Sequence, residues 1–142
     1  MKFLNEQGQE ITLKRAKNLP GYEVTLSEDV VIDSVVNNPF FKGINVLQLP
    51  KKLKGFRDNP DLQEILKPQE VNTGVQVKLD EGELAFFEPD KDLILTNKLI
   101  LVNRIFGKNE DIVPMFINYG LQKVRLKANT IVGTIFIQKN FS

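Results

Sequence analysis

The 142-residue sequence predicts an all-β fold, a small barrel or jelly-roll-type sandwich of short strands with one short helix. Three observations carry that prediction. Short β-branched runs recur between turn residues along most of the chain. One of them alternates without a break: Val71, Thr73, Val75, Val77 and Leu79 share one face, while Asn72, Gln76 and Lys78 take the other, with Gly74 between them. Helical periodicity shows in one place, Pro60 to Leu66. There Asn59 can cap, Pro60 suits the first helical position, and Leu62, Ile65 and Leu66 share a face.

The remaining strands follow in chain order. Glu10 to Lys14 alternates after a Gln7-Gly8-Gln9 turn, and Tyr22 to Leu26 and Asp29 to Val36 come next. After Val71 to Leu79, Asp80-Glu81-Gly82 is a turn whose glycine suits the left-handed region, and Glu83 to Phe87 returns from it. Leu93 to Leu95 and Lys98 to Val102 are expected as strands flanking a Thr96-Asn97 turn. Ile112 to Ile117 ends in Asn118-Tyr119-Gly120, and Lys123 to Leu126 and Thr130 to Gln138 complete the series. Without an internal repeat or a linker, residues 1–142 read as a single domain.

One stretch interrupts the pattern. Asn37 to Asn59 carries Pro39, Pro50, Gly43 and Gly55, apolar Phe40, Phe41, Leu47, Leu49 and Phe56, and the basic group Lys51, Lys52, Lys54 and Arg57. It reads either as a loop folded over a barrel end with its phenylalanines buried, or as an arm that binds a partner through Phe40, Phe41, Lys51, Lys52, Lys54, Phe56 and Arg57.

Composition limits the chemistry. Nineteen basic residues against eighteen acidic give a net charge of +1, which argues against a general nucleic-acid or membrane binder. The chain has no cysteine, so disulfides, thiolate nucleophiles and the common structural zinc sites are excluded. It has no histidine either, which removes the usual general base near neutral pH and the commonest metal ligand. Catalysis would fall to carboxylates, lysines, tyrosines or a carboxylate-held Mg²⁺. No apolar run is long enough to span a membrane, and Met1 to Glu6 lacks the features of a secretory signal.

Gly21-Tyr22-Glu23-Val24, followed at a suitable distance by Asp29-Val30-Val31-Ile32 and then by Thr73-Gly74-Val75, opens an ordered series of segments. The series resembles the trimeric dUTPase family, with the related dCTP deaminases, and its first member is similar to the family's Gly-Tyr-Asp-Leu motif. Thr73-Gly74-Val75 and the Gly82 turn resemble the next strand and turn. Phe87-Glu88-Pro89 arrives where the family has Pro-Arg-Ser-Gly, and Leu99 to Asn103 resembles the strand before the nucleoside-binding hairpin. Asp111 to Gly120 is similar to the Gly-Glu-Ile strand with its Asn-x-Gly turn, and Ala128 to Gly133 to the Gly-Asp-Arg-Ile-Ala-Gln segment.

The resemblance implies a site that this sequence fills differently. The family hydrolyses dUTP as a Mg²⁺-bound triphosphate with an aspartate-activated water. Here Pro89-Asp90-Lys91-Asp92 stands in the phosphate loop, where carboxylates repel a triphosphate unless metal bridges them. Ile105 falls at the water-activating aspartate, Lys108 at the aromatic that packs on deoxyribose, and Glu23 replaces an aspartate. The glycine-rich closing arm is not matched. These departures lead to the expectation of no enzymatic activity, no metal and no cofactor, with Glu23, Pro89, Asp90, Lys91, Asp92, Ile105, Lys108, Glu110 and Asp111 marking a degenerate nucleotide site.

The function expected on that basis is a non-catalytic homotrimer, a virion component such as a capsid-decorating or fibre-base protein, located in the virion or the host cytoplasm and bound to another virion or host protein. A second reading is a remodelled enzyme, either hydrolysing nucleotides with Asp90, Asp92, Glu110 and Asp111 on Mg²⁺ or deaminating them with Glu83, Glu88 or Glu110. A third is a regulator that binds a host protein or nucleic acid through Lys51, Lys52, Lys54 and Arg57.

Overall fold

In the computed structural model, residues 1–37 and 67–140 are described. The excursion after Asn37 and the helix expected at Pro60 to Leu66 lie outside them. The chain forms β1 (Lys2–Leu4), β2 (Glu10–Ile11), β3 (Tyr22–Thr25) and β4 (Val30–Ile32), then a 3₁₀ turn at Val35–Asn37. It continues with β5 (Gln69–Glu70), β6 (Gln76–Lys78), β7 (Leu84–Pro89), the helix α1 (Lys91–Asn97) and β8 (Leu99–Leu101). The remaining strands are β9 (Ile105–Phe106), β10 (Glu110–Asp111), β11 (Met115–Asn118), β12 (Val124–Leu126) and β13 (Ile131–Gln138).

Strand order in the sheets is β3-β13-β7-β9, β10-β6-β1-β2, β5-β11-β8 and β12-β4. Every pairing between named strands is antiparallel. Their apolar faces meet in one core that includes Val24, Leu26, Ile32, Val71, Val77, Phe87, Phe106, Ile112, Phe116, Val132 and Ile135. Burying one such side chain is worth about 1.5–3 kcal/mol. The Phe87 and Phe106 rings meet edge to face with centroids 6.4 Å apart, tying β7 to β9.

The alternation from Val71 to Leu79 holds in burial: all five residues assigned to the inner face are buried. Only Gln76–Lys78 joins a ladder as part of this run, because Gly74 takes a positive φ of 71° and breaks the strand before it. The Asp80–Gly82 turn forms as expected, with Gly82 at φ 78°. Asn118 closes the turn after β11: its amide donates to the carbonyls of Ile32 at 3.1 Å and Gln122 at 2.8 Å, and its Oδ1 accepts from the Gly120 N–H at 2.9 Å. The Ser34 hydroxyl donates to the Gly120 carbonyl, so β4, β11 and this turn are locked together.

One expected strand is a helix. Leu93 to Leu95 lies inside α1, whose first turn is capped by the Asp90 carboxylate accepting from the Leu93 N–H at 3.0 Å. The apolar triplet suited a strand by composition. The Asp90 cap and the left-handed Lys98, at φ 53°, set helix ends that composition did not reveal.

Candidate functional site

The longest strand, β13, sets the geometry of the site. Its partners in register are Glu23 on β3 and Glu88 on β7, both opposite Thr134. Because these three residues are directly opposed across neighbouring strands, they stand abreast on the outward face while Val132 and Ile135 point to the core. Gly133 makes this arrangement possible. A Cβ there would sit 2.4 Å from the Glu88 carbonyl oxygen and 2.5 Å from the Phe87 ring, so only glycine lets β13 lie this close to β7.

The row forms the floor of a groove of roughly 740 Å³. One wall is the end of β7 and the start of α1, with Pro89, Asp90, Lys91, Asp92 and Ile94. The other is the connection from β2 to β3, with Lys14, Ala16, Lys17, Asn18 and Leu19. That connection is pinned to the sheet. The Glu23 N–H donates to the Lys14 carbonyl at 2.7 Å, and the Ala16 N–H donates to the Gly21 carbonyl at 3.0 Å. The Arg15 guanidinium lies over the Tyr22 ring at 4.5 Å and lines a separate hollow.

The groove is charged on both sides. Glu88 is held by Arg104, whose Nη1 lies 3.1 Å from its Oε2. The Asp90 carboxylate is occupied by the helix cap. Glu23, Glu88, Asp90 and Asp92 offer hard oxygen donors that suit Mg²⁺. Among the described residues, no three of them stand close enough to hold a metal alone. Mg²⁺ commonly rests on one or two carboxylates together with substrate phosphates. The donor set therefore fits a metal that arrives with a phosphorylated ligand, not one caged by protein.

Five of the residues singled out in the sequence, Glu23, Pro89, Asp90, Lys91 and Asp92, meet in this groove. The others do not. Ile105 is exposed on β9, opposite Phe86. Lys108 sits in the turn that follows, while Glu110 and Asp111 pair with β6 at the edge of another sheet. Asp111 lines a hollow of roughly 220 Å³ with Asn5, Glu6 and Gln76. A magnesium site built from Asp90, Asp92, Glu110 and Asp111 is thus not assembled within one chain. Of the carboxylates considered for deamination, Glu88 faces the groove and Glu110 does not. Glu83 is turned toward the Met1 amine, 3.4 Å away, and accepts from the Asp80 N–H at 2.7 Å. Phe40, Phe41, Lys51, Lys52, Lys54, Phe56 and Arg57 lie outside the described residues. Lys14, Lys17 and Thr134 were missed, although the run Lys14-Arg15-Ala16-Lys17 stands just ahead of the Gly21-Tyr22 motif.

Comparison with solved structures places this geometry. The dUTPase of Streptococcus mutans superposes with a TM-score of 0.63 at 17% identity, covering 100% of this chain and 97% of that one. The chain has the dUTPase fold. EIAV dUTPase gives a TM-score of 0.61 at 11% identity, with 99% and 89% covered. A dUTPase mutant of Staphylococcus bacteriophage 80alpha, solved with dUpNHpp, gives 0.61 at 11% identity, with 93% and 78% covered. No family model and no curated protein matches the sequence.

These matches overturn the expectation of a non-enzyme. The solved structures compared above are dUTPases, which are enzymes, so the fold gives no ground for a non-enzyme. The physical reason lies in the groove. Counting absent residue types treated a changed site as a lost one, whereas β3, β7 and β13 still build a cleft and line it with charge.

Proposed function

We propose that the protein is a Mg²⁺-dependent nucleotide hydrolase that works as a homotrimer. The observation that carries this reading is the convergence of Glu23, Thr134, Glu88 and the Asp90–Asp92 segment in one groove of a dUTPase fold. Glu23 and Asp92 are the residues that would hold Mg²⁺, which supplies charge neutralisation for the phosphates when bound. Glu88, fixed by Arg104, is assigned the orientation of the attacking water. Lys91 opposes the developing negative charge from the rim. The wall residues Ile94, Ile131 and Phe136 give the ligand an apolar surface.

Support for self-association comes from the opposite kind of surface. Leu95 on α1 is 61% exposed and Ile100 on β8 52%, and Val102 and Tyr119 are exposed as well. The Tyr119 N–H donates to the Lys98 carbonyl at 3.0 Å, which brings the β11 turn against the α1–β8 junction. Apolar side chains gathered this way call for a partner surface. A second copy around a symmetry axis supplies one, and the trimer is the state that the family resemblance implies.

The test is thermal melting with and without deoxynucleoside triphosphates and Mg²⁺. A ligand at one hundred times its Kd adds about 2.7 kcal/mol to stability, a rise on the order of 8 °C for a chain of this size. A melting temperature unmoved by every nucleotide, with Mg²⁺ present, would sink the reading.

A further inference from the structure

We propose that Lys14 and Lys17, on the connection from β2 to β3, hold the phosphates of the nucleotide. The inference rests on the nucleotide reading above and adds to it the residues that recognise the ligand's charge. Its starting point is a charge balance within the groove. Three lysines line it, Lys14, Lys17 and Lys91, against four carboxylates, Glu23, Glu88, Asp90 and Asp92. Two of those carboxylates are already engaged: Glu88 with the Arg104 guanidinium at 3.1 Å, and Asp90 with the Leu93 N–H at 3.0 Å. Two remain for a metal, Glu23 and Asp92.

The lysines are differently placed. Among the described residues, none of the three has a carboxylate within ion-pairing distance. Three uncommitted ammonium groups therefore face a cleft whose uncommitted carboxylates number two. That balance suits a polyanion accompanied by one divalent cation. The wall that begins α1 supplies little of it, because its backbone donor at Leu93 is taken by Asp90 and it carries one lysine between two aspartates.

Position argues the same way. The Lys14–Ala16 backbone is bonded to Gly21–Glu23, so Lys14 projects from a fixed ladder, and Lys17 is the first residue of the bend just beyond it. Arg15, between them, is spent on the Tyr22 ring and faces another hollow. Lys14 and Lys17 are left on the groove side, across from Asp92. Point-charge ammonium groups hold phosphate without demanding a bidentate geometry, so they can serve where no arginine is present.

Isothermal titration of the full chain tests this with two probes, inorganic tripolyphosphate and dUpNHpp, each with Mg²⁺. The variants are Lys14→Ser/Lys17→Ser, Lys14→Arg/Lys17→Arg and, as a control on β12, Lys123→Ser/Arg125→Ser. All the substituted residues are exposed, and a melting curve for each variant shows that it is folded. The serine pair is expected to weaken binding of both probes at least tenfold, the arginine pair to stay within about threefold of the parent, and the control to be unchanged. If the parent binds dUpNHpp and the serine pair binds it equally well, the lysine assignment is overturned while the nucleotide reading stands. If the parent binds neither probe, both fall.

Discussion

The groove face of the β3-β13-β7-β9 sheet and the face formed by α1, β8 and the β11 turn are both open to solvent, yet one presents charge and the other apolar side chains. On the first, the outward positions of three adjacent strands are Glu23, Thr134 and Glu88. On the second, the exposed residues are Leu95, Ile100, Val102 and Tyr119. A solvated sheet surface needs neither a converging set of carboxylates nor a cluster of exposed leucine and isoleucine. The first is costly unless a cation or ligand balances it, and the second is costly unless another surface covers it. Each face thus fits the partner proposed for it: a small charged ligand for one, a further copy of the chain for the other.

Substitutions that affect one face and spare the other sharpen that comparison. The largest effect is expected from Ile100→Asp, which sets a charge in the apolar face. Light scattering should report monomer mass in place of the oligomer, with the fold kept. Next comes Gly133→Ala under the groove. The added methyl meets a carbonyl at 2.4 Å, so chemical denaturation should show a loss of about 3 kcal/mol, with the oligomer's interface chemistry untouched.

Smaller effects follow on the charged face. Glu23→Gln and Asp92→Asn should each raise the Mg²⁺ concentration needed for nucleotide binding about tenfold, at nearly unchanged stability. Asp90→Ala removes the cap on α1 and should cost about 1 kcal/mol in denaturant midpoint analysis.

The smallest effect is electrostatic and remote from both faces. The Met1 amine donates to Asp80 at 2.7 Å. That hydrogen bond, followed by the amine's charge, holds the Asp80 carboxyl below its ordinary 3.8. The same hydrogen bond to Asp80 raises the amine above 8.0. A depressed carboxylate stabilises the fold above its unfolded pKa and loses that contribution as the pH drops through its folded value. A raised amine contributes below its unfolded pKa and ceases to do so as the pH climbs past its folded value. Asp80→Asn should therefore lower the melting temperature slightly between about pH 4 and 8, with the difference closing on either side.

Much of this fold was legible in the sequence. Val71 to Leu79 gave its inner face by simple alternation, and Asp80–Gly82 and Asn118–Gly120 gave their turns, because those features depend on local geometry alone. The helix α1 was hidden because Leu93 to Leu95 is equally apolar in either conformation; its cap at Asp90 decided the matter. β1, β5, β9 and β10 were not anticipated, being two or three residues long and defined by their partners in space. The site was half legible. Glu23 and Pro89–Asp92 were found through segments that resemble a family. Lys14, Lys17 and Thr134 fall outside those segments, and their place in the groove depends on β3, β7 and β13 lying side by side. Glu110 and Asp111 also came from a resembling segment and Ile105 was counted back from them, and the β9–β10 hairpin carries all three to other edges of the sheets.

The measurement that tests the central claim most directly is pyrophosphate release from dUTP and the four common deoxynucleoside triphosphates, with purified protein and Mg²⁺, and ammonia release followed in parallel. The account predicts that at least one triphosphate is consumed with pyrophosphate as product, and that Glu88→Gln abolishes turnover while leaving the protein folded. Consumption of none, or loss of activity in no groove variant, would contradict it.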